Sequence, residues 1–235
     1  MKLIDSYFAD RYCRVRLGPV ISDWEPVIRG CPQGSAFGPL LWNIFQNDLT
    51  YCVDSNLNMY ADDHQFYSAD NTVTNVYNSL LANAESASGW YKANFLKGNL
   101  DKYQTMTLGS QQNPDNNLNI DNYEVKSANY LKLLGVSIDN NLRFEEHINN
   151  ICKKSNQRIG VLMRLKNMIP TVTKLQLYKA AILPHLTYCH LTWHFCRASD
   201  TRKIERVQEK ALRAVFIDKT STYTKLLEMA GLCTL

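Results

Sequence analysis

The sequence predicts an α+β fold, with short antiparallel strands and helices over residues 1–140 and helices alone over residues 141–235. Before residue 140, apolar and polar residues alternate in short segments that are bounded by Gly, Pro and Asp, as in hairpins. From about residue 144, apolar residues recur every three or four positions, as on the buried stripe of a helix. A chain of 235 residues is long enough for one or two domains with a buried core.

The composition is that of a globular intracellular protein. Hydrophobic residues make up 45% of the chain, and no apolar run approaches the roughly 20 residues that a membrane span needs. Acidic residues stand too close to the N-terminus for a secretory signal. The seven cysteines form no Cys-x-x-Cys pair, which favours reduced thiols. We therefore expect no membrane partner, and a location in the nucleus or cytoplasm.

The charge is distributed unevenly along the chain. Residues 1–150 contain 11 Lys and Arg against 17 Asp and Glu, a net charge of −6, whereas residues 151–235 contain 15 against 5, a net charge of +10. Solvated helix faces are often rich in lysine, so part of the imbalance needs no ligand. Its size favours an acidic, metal-binding part followed by a part that binds a polyanion such as nucleic acid.

The first 53 residues predict a helix, a hairpin, a loop and a second helix. Residues 3–8 are helical in pattern, and residues 12–17 and 24–28 alternate as two strands around a Gly-Pro turn. Residues 30–34 form a loop rich in Gly and Pro, and a helix follows from residue 35 to about residue 53. Its apolar residues at helical spacing are expected in the core: Leu40, Leu41, Ile44, Phe45 and Leu49.

The most informative segment is Leu-Asn-Met-Tyr-Ala-Asp-Asp-His-Gln-Phe-Tyr at residues 57–67. It predicts two strands joined at the adjacent carboxylates Asp62 and Asp63, with Leu57, Met59 and Ala61 on one face. Two neighbouring acids repel each other unless a divalent cation neutralises them, and Mg²⁺ prefers carboxylate and phosphate oxygens. For the dipeptide by itself, a solvated Asp-Asp turn is the favoured interpretation, because Asp is common in turns.

Further elements follow in order. A helix is predicted from Asn71 to about Leu96, a strand over residues 103–108, a polar surface loop over residues 110–122, and a strand from Tyr130 to Ile138. Residues 171–194 predict a helix that bends at Pro184. Basic side chains accompany the apolar stripes of two of the C-terminal helices: Lys153, Lys154, Arg158, Arg164, Lys166, Arg202, Lys203, Arg206, Lys210 and Arg213. Such faces suit the phosphate backbone of a duplex.

Histidines and cysteines cluster between residues 185 and 196 and admit a zinc site as an alternative. The members are His185, Cys189, His190, His194 and Cys196. Two ligands on one helical turn would suit zinc, but these residues spread around the helix. Packing is therefore the favoured interpretation.

Five blocks of the chain, in order, resemble one family. They are Arg-Gly-Cys-Pro-Gln-Gly-Ser with the following Gly-Pro-Leu-Leu-Trp-Asn, Tyr-Ala-Asp-Asp, the segment from Trp90 to Met106, the segment from Leu133 to Ile148, and the segment from Ile182 to His194. This order is similar to the reverse transcriptase of non-long-terminal-repeat, jockey-like retrotransposons. Cys31 stands where the family has Val and Trp42 where it has Phe, and both are interpreted as packing variants.

The resemblance implies a partial polymerase palm over residues 1–140, an antiparallel sheet with helices, and a helical thumb bundle over residues 141–235. It implies that the chain binds an RNA template, a DNA primer and deoxynucleoside triphosphates. Pro32, Gln33, Gly34 and Tyr60 would contact the incoming nucleotide and template. Leu134 and Gly135 would support the primer.

The resemblance also implies two-metal phosphoryl transfer with Mg²⁺. Asp62 and Asp63 would hold the ions, and Lys102 would protonate the leaving pyrophosphate. In the family a further catalytic Asp lies well upstream of the Pro-Gln-Gly block, and Asp10 is not counted as that residue. We therefore expect a two-ion site that is incomplete in this chain, and a fragment that is inactive alone. The alternative is a non-catalytic nucleic-acid-binding remnant that uses the basic helices.

Overall fold

The computed structural model describes residues 2–109, 117–165 and 167–234, and it mixes helices with short strands. The strands are β1 Tyr12–Cys13, β2 Arg16–Leu17, β3 Val20–Ile21, β4 Glu25–Pro26, β5 Asn56–Tyr60, β6 Asp63–Tyr67, β7 Leu118–Ile120, β8 Tyr123–Val125, β9 Tyr130–Leu133 and β10 Val136–Asp139. The helices are α1 Lys2–Phe8, α2 Phe37–Gln46, α3 Val73–Ala93, α4 Glu145–Arg164, α5 Thr171–Leu177, α6 Leu183–Thr187, α7 His190–Trp193, α8 Ala198–Phe216 and α9 Tyr223–Ala230. Asn47–Tyr51 and Leu100–Lys102 are 3₁₀ turns, and Tyr178–Ile182 is a π-helical segment.

The described strands pair two by two. β1 pairs with β4, β2 with β3, β5 with β6, and β9 with β10, all antiparallel, and β7 pairs with β8. The prediction of mixed strands and helices is confirmed. The expected antiparallel sheet is divided, among the described residues, into separate two-stranded sheets.

The chain divides into two compact units. The first comprises residues 1–99 with 119–123, and the second comprises residues 100–118 with 124–235. The second unit therefore includes the β9–β10 hairpin as well as the helices. The assignment of the two parts to palm and thumb stays a prediction.

The second unit has a large apolar core built around α4 and α8. Fully buried side chains from both helices meet there, among them Ile148, Ile159 and Leu212. Polar contacts border the seam, since Lys203 Nζ donates to Asn149 Oδ1 at 3.4 Å and Lys210 Nζ donates to Asn156 Oδ1 at 2.9 Å. The constant offset between the bonded residues shows that α4 and α8 run parallel. The prediction of these two helices from the spacing of their apolar residues is confirmed.

The helical segment predicted over residues 171–194 is interrupted twice. A π-helical segment precedes α6, which has Pro184 in its first turn, and the missing N–H of proline accounts for a local change in hydrogen bonding. Cys189, at φ +50°, then separates α6 from α7. The bend predicted at Pro184 is therefore a π-helical segment just before it, and the helix ends at Thr187 rather than near residue 194.

The first unit has a smaller core. Leu49, Ala87 and Trp90 are buried there, and residues of the β5–β6 hairpin pack against them. The predicted burial of α2 is only partly correct, because Leu40, Ile44 and Phe45 are 52%, 63% and 40% exposed. The helix has the expected apolar stripe, but none of the described elements covers its full length.

Three other predictions change. Residues 103–108 form no strand among the described residues, and only a bridge from Thr105 to Ser127 remains. The strand predicted from Tyr130 to Ile138 is a hairpin, because positive φ angles at Leu134 and Gly135 reverse the chain. Of the polar loop predicted at residues 110–122, residues 110–116 lie outside the described residues, and Leu118–Ile120 is strand β7. Lys166 also lies outside the described residues.

No helix in the described ranges combines the length and the apolar character that crossing a membrane requires.

His147 makes the stability of the second unit depend on pH. It is 5% exposed, and its Nδ1 accepts the Ser137 N–H at 3.3 Å. Burial, helped by the charge of Lys154, lowers the pKa of His147 below its ordinary value of 6.5. Below that value the unfolded chain binds a proton that the folded chain excludes. The contribution of His147 to stability is therefore complete above pH 6.5 and decreases as the pH falls.

We expect the free energy of unfolding to fall below pH 6.5 with a slope from His147 of at most about 1.4 kcal/mol per pH unit. Denaturant unfolding at intervals of about 0.5 pH unit between pH 5 and pH 8 measures this free energy. The variant His147→Asn keeps an acceptor for Ser137 and should show a shallower slope. An unchanged slope in this variant would contradict the assignment to His147.

Candidate functional site

The adjacent carboxylates lie at the end of the β5–β6 hairpin. Tyr60 pairs with Asp63, so Ala61 and Asp62 form a two-residue turn. Leu57 and Met59 are half-buried against the core of the first unit, and both carboxylates are exposed. The predicted alternation and the position of the turn are confirmed, although Ala61 lies in the turn rather than on the packed face.

The turn contains a backbone conformation that alanine rarely adopts. Ala61 has φ +53°, in the left-handed region, where a Cβ costs about 1–3 kcal/mol. The indole Nε1–H of Trp42 on α2 donates to the Ala61 carbonyl oxygen at 2.8 Å. This bond fixes the orientation of the peptide that leads into Asp62. Trp42 therefore positions the turn.

The role of Trp42 differs from its predicted role as a packing variant. A phenylalanine, the residue the resembled family has here, could fill the same space but carries no N–H donor. The sequence signal was the exchange of Phe for Trp itself, because a half-buried indole N–H usually finds an acceptor. The sequence could not identify that acceptor as the carbonyl of Ala61.

A second clamp on the hairpin runs through His64, which the sequence analysis missed. His64 Nε2 lies 3.2 Å from Gln46 Oε1 on α2, and His64 Nδ1 lies 2.5 Å from the Tyr91 hydroxyl on α3. Gln46 Nε2 donates to Asn43, so its Oε1 is the atom that faces the imidazole. His64 Nε2 is then the donor to Gln46, and Tyr91 donates to Nδ1.

The neutral form of His64 matches these partners. Burial lowers its pKa, and the negative charges of Asp62 and Asp63 offset part of that shift. The imidazole also stacks on Tyr91, with ring centres 5.7 Å apart. The side chain directly after the acidic pair thus joins β6 to both α2 and α3.

The predicted nucleotide-binding loop leads into the same helix. Gly30 and Gly34 have φ +76° and φ +79°, which favour glycine, and the Ser35 N–H lies 3.4 Å from the Pro32 carbonyl oxygen. Gln33 is exposed. Trp42 lies about 8 Å along the axis from the first residue of α2. A single helix thus connects the loop to the contact that positions Asp62.

The other predicted site residues lie in the second unit. Lys102 is exposed at the end of a 3₁₀ turn, not at the start of the predicted strand. Leu134 and Gly135 form the turn between β9 and β10, and the Tyr188 hydroxyl donates to the Leu134 carbonyl oxygen at 2.6 Å. A Cβ on Gly135 would meet Tyr188 at an ordinary 3.6 Å. Within the chain, the feature of this position that favours glycine is its φ of +88°. The role of Leu134 and Gly135 in supporting the primer stays a prediction.

Asp62 and Asp63 fit Mg²⁺ in chemical type but form a partial ligand set. Both offer exposed carboxylate oxygens, which hard cations prefer. Within the described part of the chain, no three His, Cys, Asp or Glu side chains are close enough together to hold an ion. In the histidine-rich segment, His190 Nε2 and His194 Nδ1 lie 3.0 Å apart in a hydrogen bond.

Comparison with known proteins identifies the class. The model of the reverse transcriptase (RNA-dependent DNA polymerase) family matches residues 4–138, which include the glycine loop and both aspartates. The chain belongs to the reverse transcriptase family.

The curated relatives come from mobile elements. The chain is 23% identical to the RNA-directed DNA polymerase from mobile element jockey of Drosophila melanogaster, over 91% of this chain and 24% of the relative. It is 27% identical to the probable RNA-directed DNA polymerase from transposon BS of the same species, over 91% of this chain and 25% of the relative. It is 25% identical to the probable RNA-directed DNA polymerase from transposon X-element of that species, over 91% of this chain and 24% of the relative. These matches extend into the helical part, and the chain spans about a quarter of the relatives' length. No solved structure matches the chain.

The hydrogen bond of Trp42 leads to a direct test. Trp42→Phe keeps the ring and removes one bond, worth about 1 kcal/mol. We expect the backbone amide of Asp63, which pairs with Tyr60 across the turn, to exchange hydrogen about fivefold faster. Trp24→Phe is the control, because that indole is exposed and its ring contacts the Arg14 guanidinium. Equal exchange rates in wild type and Trp42→Phe would show that the bond does not hold the turn.

Proposed function

We propose that this chain forms the catalytic palm and the thumb of an RNA-directed DNA polymerase of a non-long-terminal-repeat retrotransposon. The observation that carries the proposal is the exposed Asp62–Asp63 pair at a strained turn that α2 and α3 hold through Trp42 and His64. Strain of this kind concentrates at functional sites. Membership of the reverse transcriptase family supports the reaction class.

In this proposal Asp62 and Asp63 hold Mg²⁺ by their carboxylate oxygens. When bound, the two ions of such a site activate the attacking hydroxyl and stabilise the leaving group. Tyr60 and the loop of Pro32, Gln33 and Gly34 orient the incoming nucleotide and the template base. The exposed backbone of that loop suits this task, because glycine permits close approach of a ligand.

Two further roles are proposed for the second unit. Leu134 and Gly135 support the primer end with the rigid β9–β10 turn, whose carbonyl the Tyr188 hydroxyl already anchors. Lys102 donates a proton to the pyrophosphate that leaves, because an exposed ammonium group suits a general acid.

We also propose that a further carboxylate completes the site. Asp62 and Asp63 lie on one hairpin, whereas the resembled family bridges its ions with carboxylates from two strands. By this proposal the 235 residues do not extend a primer alone. Asp10, which has a φ of +50°, is the internal residue that would be considered first if they did.

Primer extension and metal binding test this proposal together. On an RNA template with an annealed DNA primer and Mg²⁺, we expect no extension from the wild-type chain or from Asp62→Asn. Mn²⁺, a paramagnetic substitute, should broaden the amide resonances of residues 61–64. Its affinity should fall about tenfold in Asp62→Asn, because one charged ligand is lost.

Asp54→Asn is the metal-binding control, since Asp54 is also exposed in the first unit. Mn²⁺ broadening that is the same in wild type and Asp62→Asn would overturn the metal role. Extension by the wild-type chain that disappears in Asp62→Asn would instead show that a residue within the chain completes the site.

The charge of the helices supports a second candidate, a nucleic-acid-binding module without catalysis. Residues 151–235 carry a net charge of +10. Arg202 and Arg206 are exposed one turn apart on α8, as are Lys154 and Arg158 on α4. Exposed cations at this spacing can contact successive phosphates of a backbone.

Salt-dependent binding to an RNA–DNA hybrid tests the basic face. The double variant Arg202→Ala/Arg206→Ala should bind more weakly and lower the slope of log K against log salt by about 1–2, because up to two phosphate contacts are lost. The control is Lys219→Ala/Lys225→Ala, which removes the same charge from exposed positions off α8. Asp62→Asn should bind like wild type. Equal slopes in the two double variants would contradict a specific role for α8.

A further inference from the structure

The segment from residue 190 to residue 195 presents two histidines and two large apolar side chains, and none of them has a role in the reaction proposed above. His190 Nε2 and His194 Nδ1 lie 3.0 Å apart, one helical turn from each other. Cys189 and Cys196, the cysteines on either side, pack against the core of the second unit. The packing interpretation therefore holds for the two cysteines, whereas the two histidines meet at the surface.

The two imidazoles have nearly the separation of a pair of metal ligands. Zinc binds imidazole nitrogens at about 2.0–2.1 Å, so two nitrogens in a tetrahedral shell are about 3.3–3.4 Å apart. His194 is exposed, so a small rotation of its ring can increase the observed 3.0 Å to this value. Because the two nitrogens share one hydrogen bond, one of them carries a lone pair rather than a proton. The pair therefore suits a cation that prefers imidazole, such as Zn²⁺.

Packing beneath the segment holds the first histidine in place. Trp193 is buried, and its indole Nε1–H donates to the Tyr188 carbonyl oxygen at 3.0 Å. The His190 ring meets the Trp193 ring edge-on, with ring centres 5.1 Å apart. This half of a metal site thus exists before an ion arrives, which lowers the entropy cost of binding.

One copy of the chain supplies two of the four ligands that a structural zinc ion takes. Within the ranges that the structure describes, no group of three or more His, Cys, Asp or Glu side chains is arranged to hold an ion. A two-fold axis through the ion would bring His190 and His194 of a second copy to the two open positions, because an isologous contact pairs a surface with itself. Four imidazoles would then complete the tetrahedron.

The same surface carries apolar side chains that a second copy would cover. Leu191 and Phe195 are 86% and 91% exposed, more than any other large hydrophobic side chain among the described residues. They directly follow the two histidines, and the rings of His194 and Phe195 have centres 5.3 Å apart. Residues 180–196 contain no Lys, Arg, Asp or Glu, so two copies of this segment bring no like charges together.

We propose that Zn²⁺ joins two copies of this chain through His190 and His194 of each copy. Leu191 and Phe195 of both copies pack around the ion and exclude water from it. The site uses nitrogen ligands, in contrast to the carboxylate oxygens of Asp62 and Asp63, which suit Mg²⁺. It does not depend on the proposed polymerase reaction.

Zinc-dependent association of the full chain tests the proposal. With the thiols kept reduced, light scattering should show a doubled mass at one Zn²⁺ per two chains, and the monomer again after addition of EDTA. His190→Gln and His194→Gln each remove two of the four ligands, because both copies carry the change. We expect neither variant to dimerise at about ten times the Zn²⁺ concentration that dimerises the wild type.

A second variant tests the apolar part of the contact. Leu191→Ser/Phe195→Ser keeps all four imidazoles and removes the apolar surround. Both side chains are exposed, so the chain should stay folded, and dimerisation should require at least about tenfold more Zn²⁺. The matched control is Leu17→Ser/Ile28→Ser, which removes two highly exposed apolar side chains of the first unit and should dimerise like the wild type.

Cobalt substitution identifies the ligands. Tetrahedral Co²⁺ absorbs visible light, and a thiolate ligand adds a charge-transfer band in the near ultraviolet. We expect the visible bands without the thiolate band, and their loss in His190→Gln. His185→Gln, which changes a histidine outside the pair, and Asp62→Asn should keep both the spectrum and the dimer, so a failure of the polymerase proposal would leave this result intact.

The outcomes decide between the metal bridge and other contacts. A zinc-dependent dimer that both histidine variants lose supports the bridge. A wild-type chain that stays monomeric at saturating Zn²⁺ would overturn it, as would a dimer that forms equally well in both histidine variants. A dimer that persists in EDTA would assign the contact to the apolar side chains alone and would also overturn it. A thiolate band that His190→Gln retains would assign the metal to cysteines, with the same consequence.

Discussion

The geometry of the first unit depends on the two-residue connection between β5 and β6. With Tyr60 opposite Asp63, the strand period of two commits Leu57 and Met59 to the packed face and leaves the carboxylates at the exposed end. A register shift of one residue would expose the apolar pair, so burial specifies the register. The price is the left-handed backbone of Ala61, which the Trp42 indole offsets with a hydrogen bond to its carbonyl oxygen.

Electrostatics explains why this pair can stand at an exposed turn. Adjacent carboxylates repel only weakly when water surrounds them, and the same pair in a dry interior would be costly. Asp62 and Asp63 are both exposed, while the neutral His64 beside them is half-buried and tied to Gln46 and Tyr91. The hairpin thus keeps its charges in water and its neutral polar group inside. The two carboxylates can therefore bind a cation, and neither charge is buried in the core.

Sequence patterns predicted those elements in which local periodicity and burial agree. The stripes of α4 and α8 and the alternation of β5 gave the correct elements because each has an apolar face that the fold buries. On α2 the stripe is present, but Ile44 stays 63% exposed, because periodicity states which residues prefer cover and not what covers them. The strand predicted from Tyr130 to Ile138 is a hairpin, because the pattern of apolar residues did not reveal the turn that Leu134 and Gly135 form with positive φ angles.

The sequence predicted the charged residues of the candidate site but not the residues that hold them in place. Asp62 and Asp63 carry a motif of their own, so the sequence located them directly. Trp42 and His64 act through partners that lie 19 and 27 residues away along the chain, and a pattern does not specify such pairings.

The two units place their candidate sites on different kinds of support. The β9–β10 turn with Leu134 and Gly135 rests on a large core, since Val136 of β10 and Ile151 of α4 are both buried in it. The Asp62–Asp63 turn rests on three buried side chains, so its geometry depends more on the polar clamps through Trp42 and His64. Regions with few buried apolar contacts open locally at lower free energy. Substitutions at these clamps should therefore disturb the carboxylate geometry before they disturb the fold, whereas substitutions beneath the β9–β10 turn should disturb the core and the turn together.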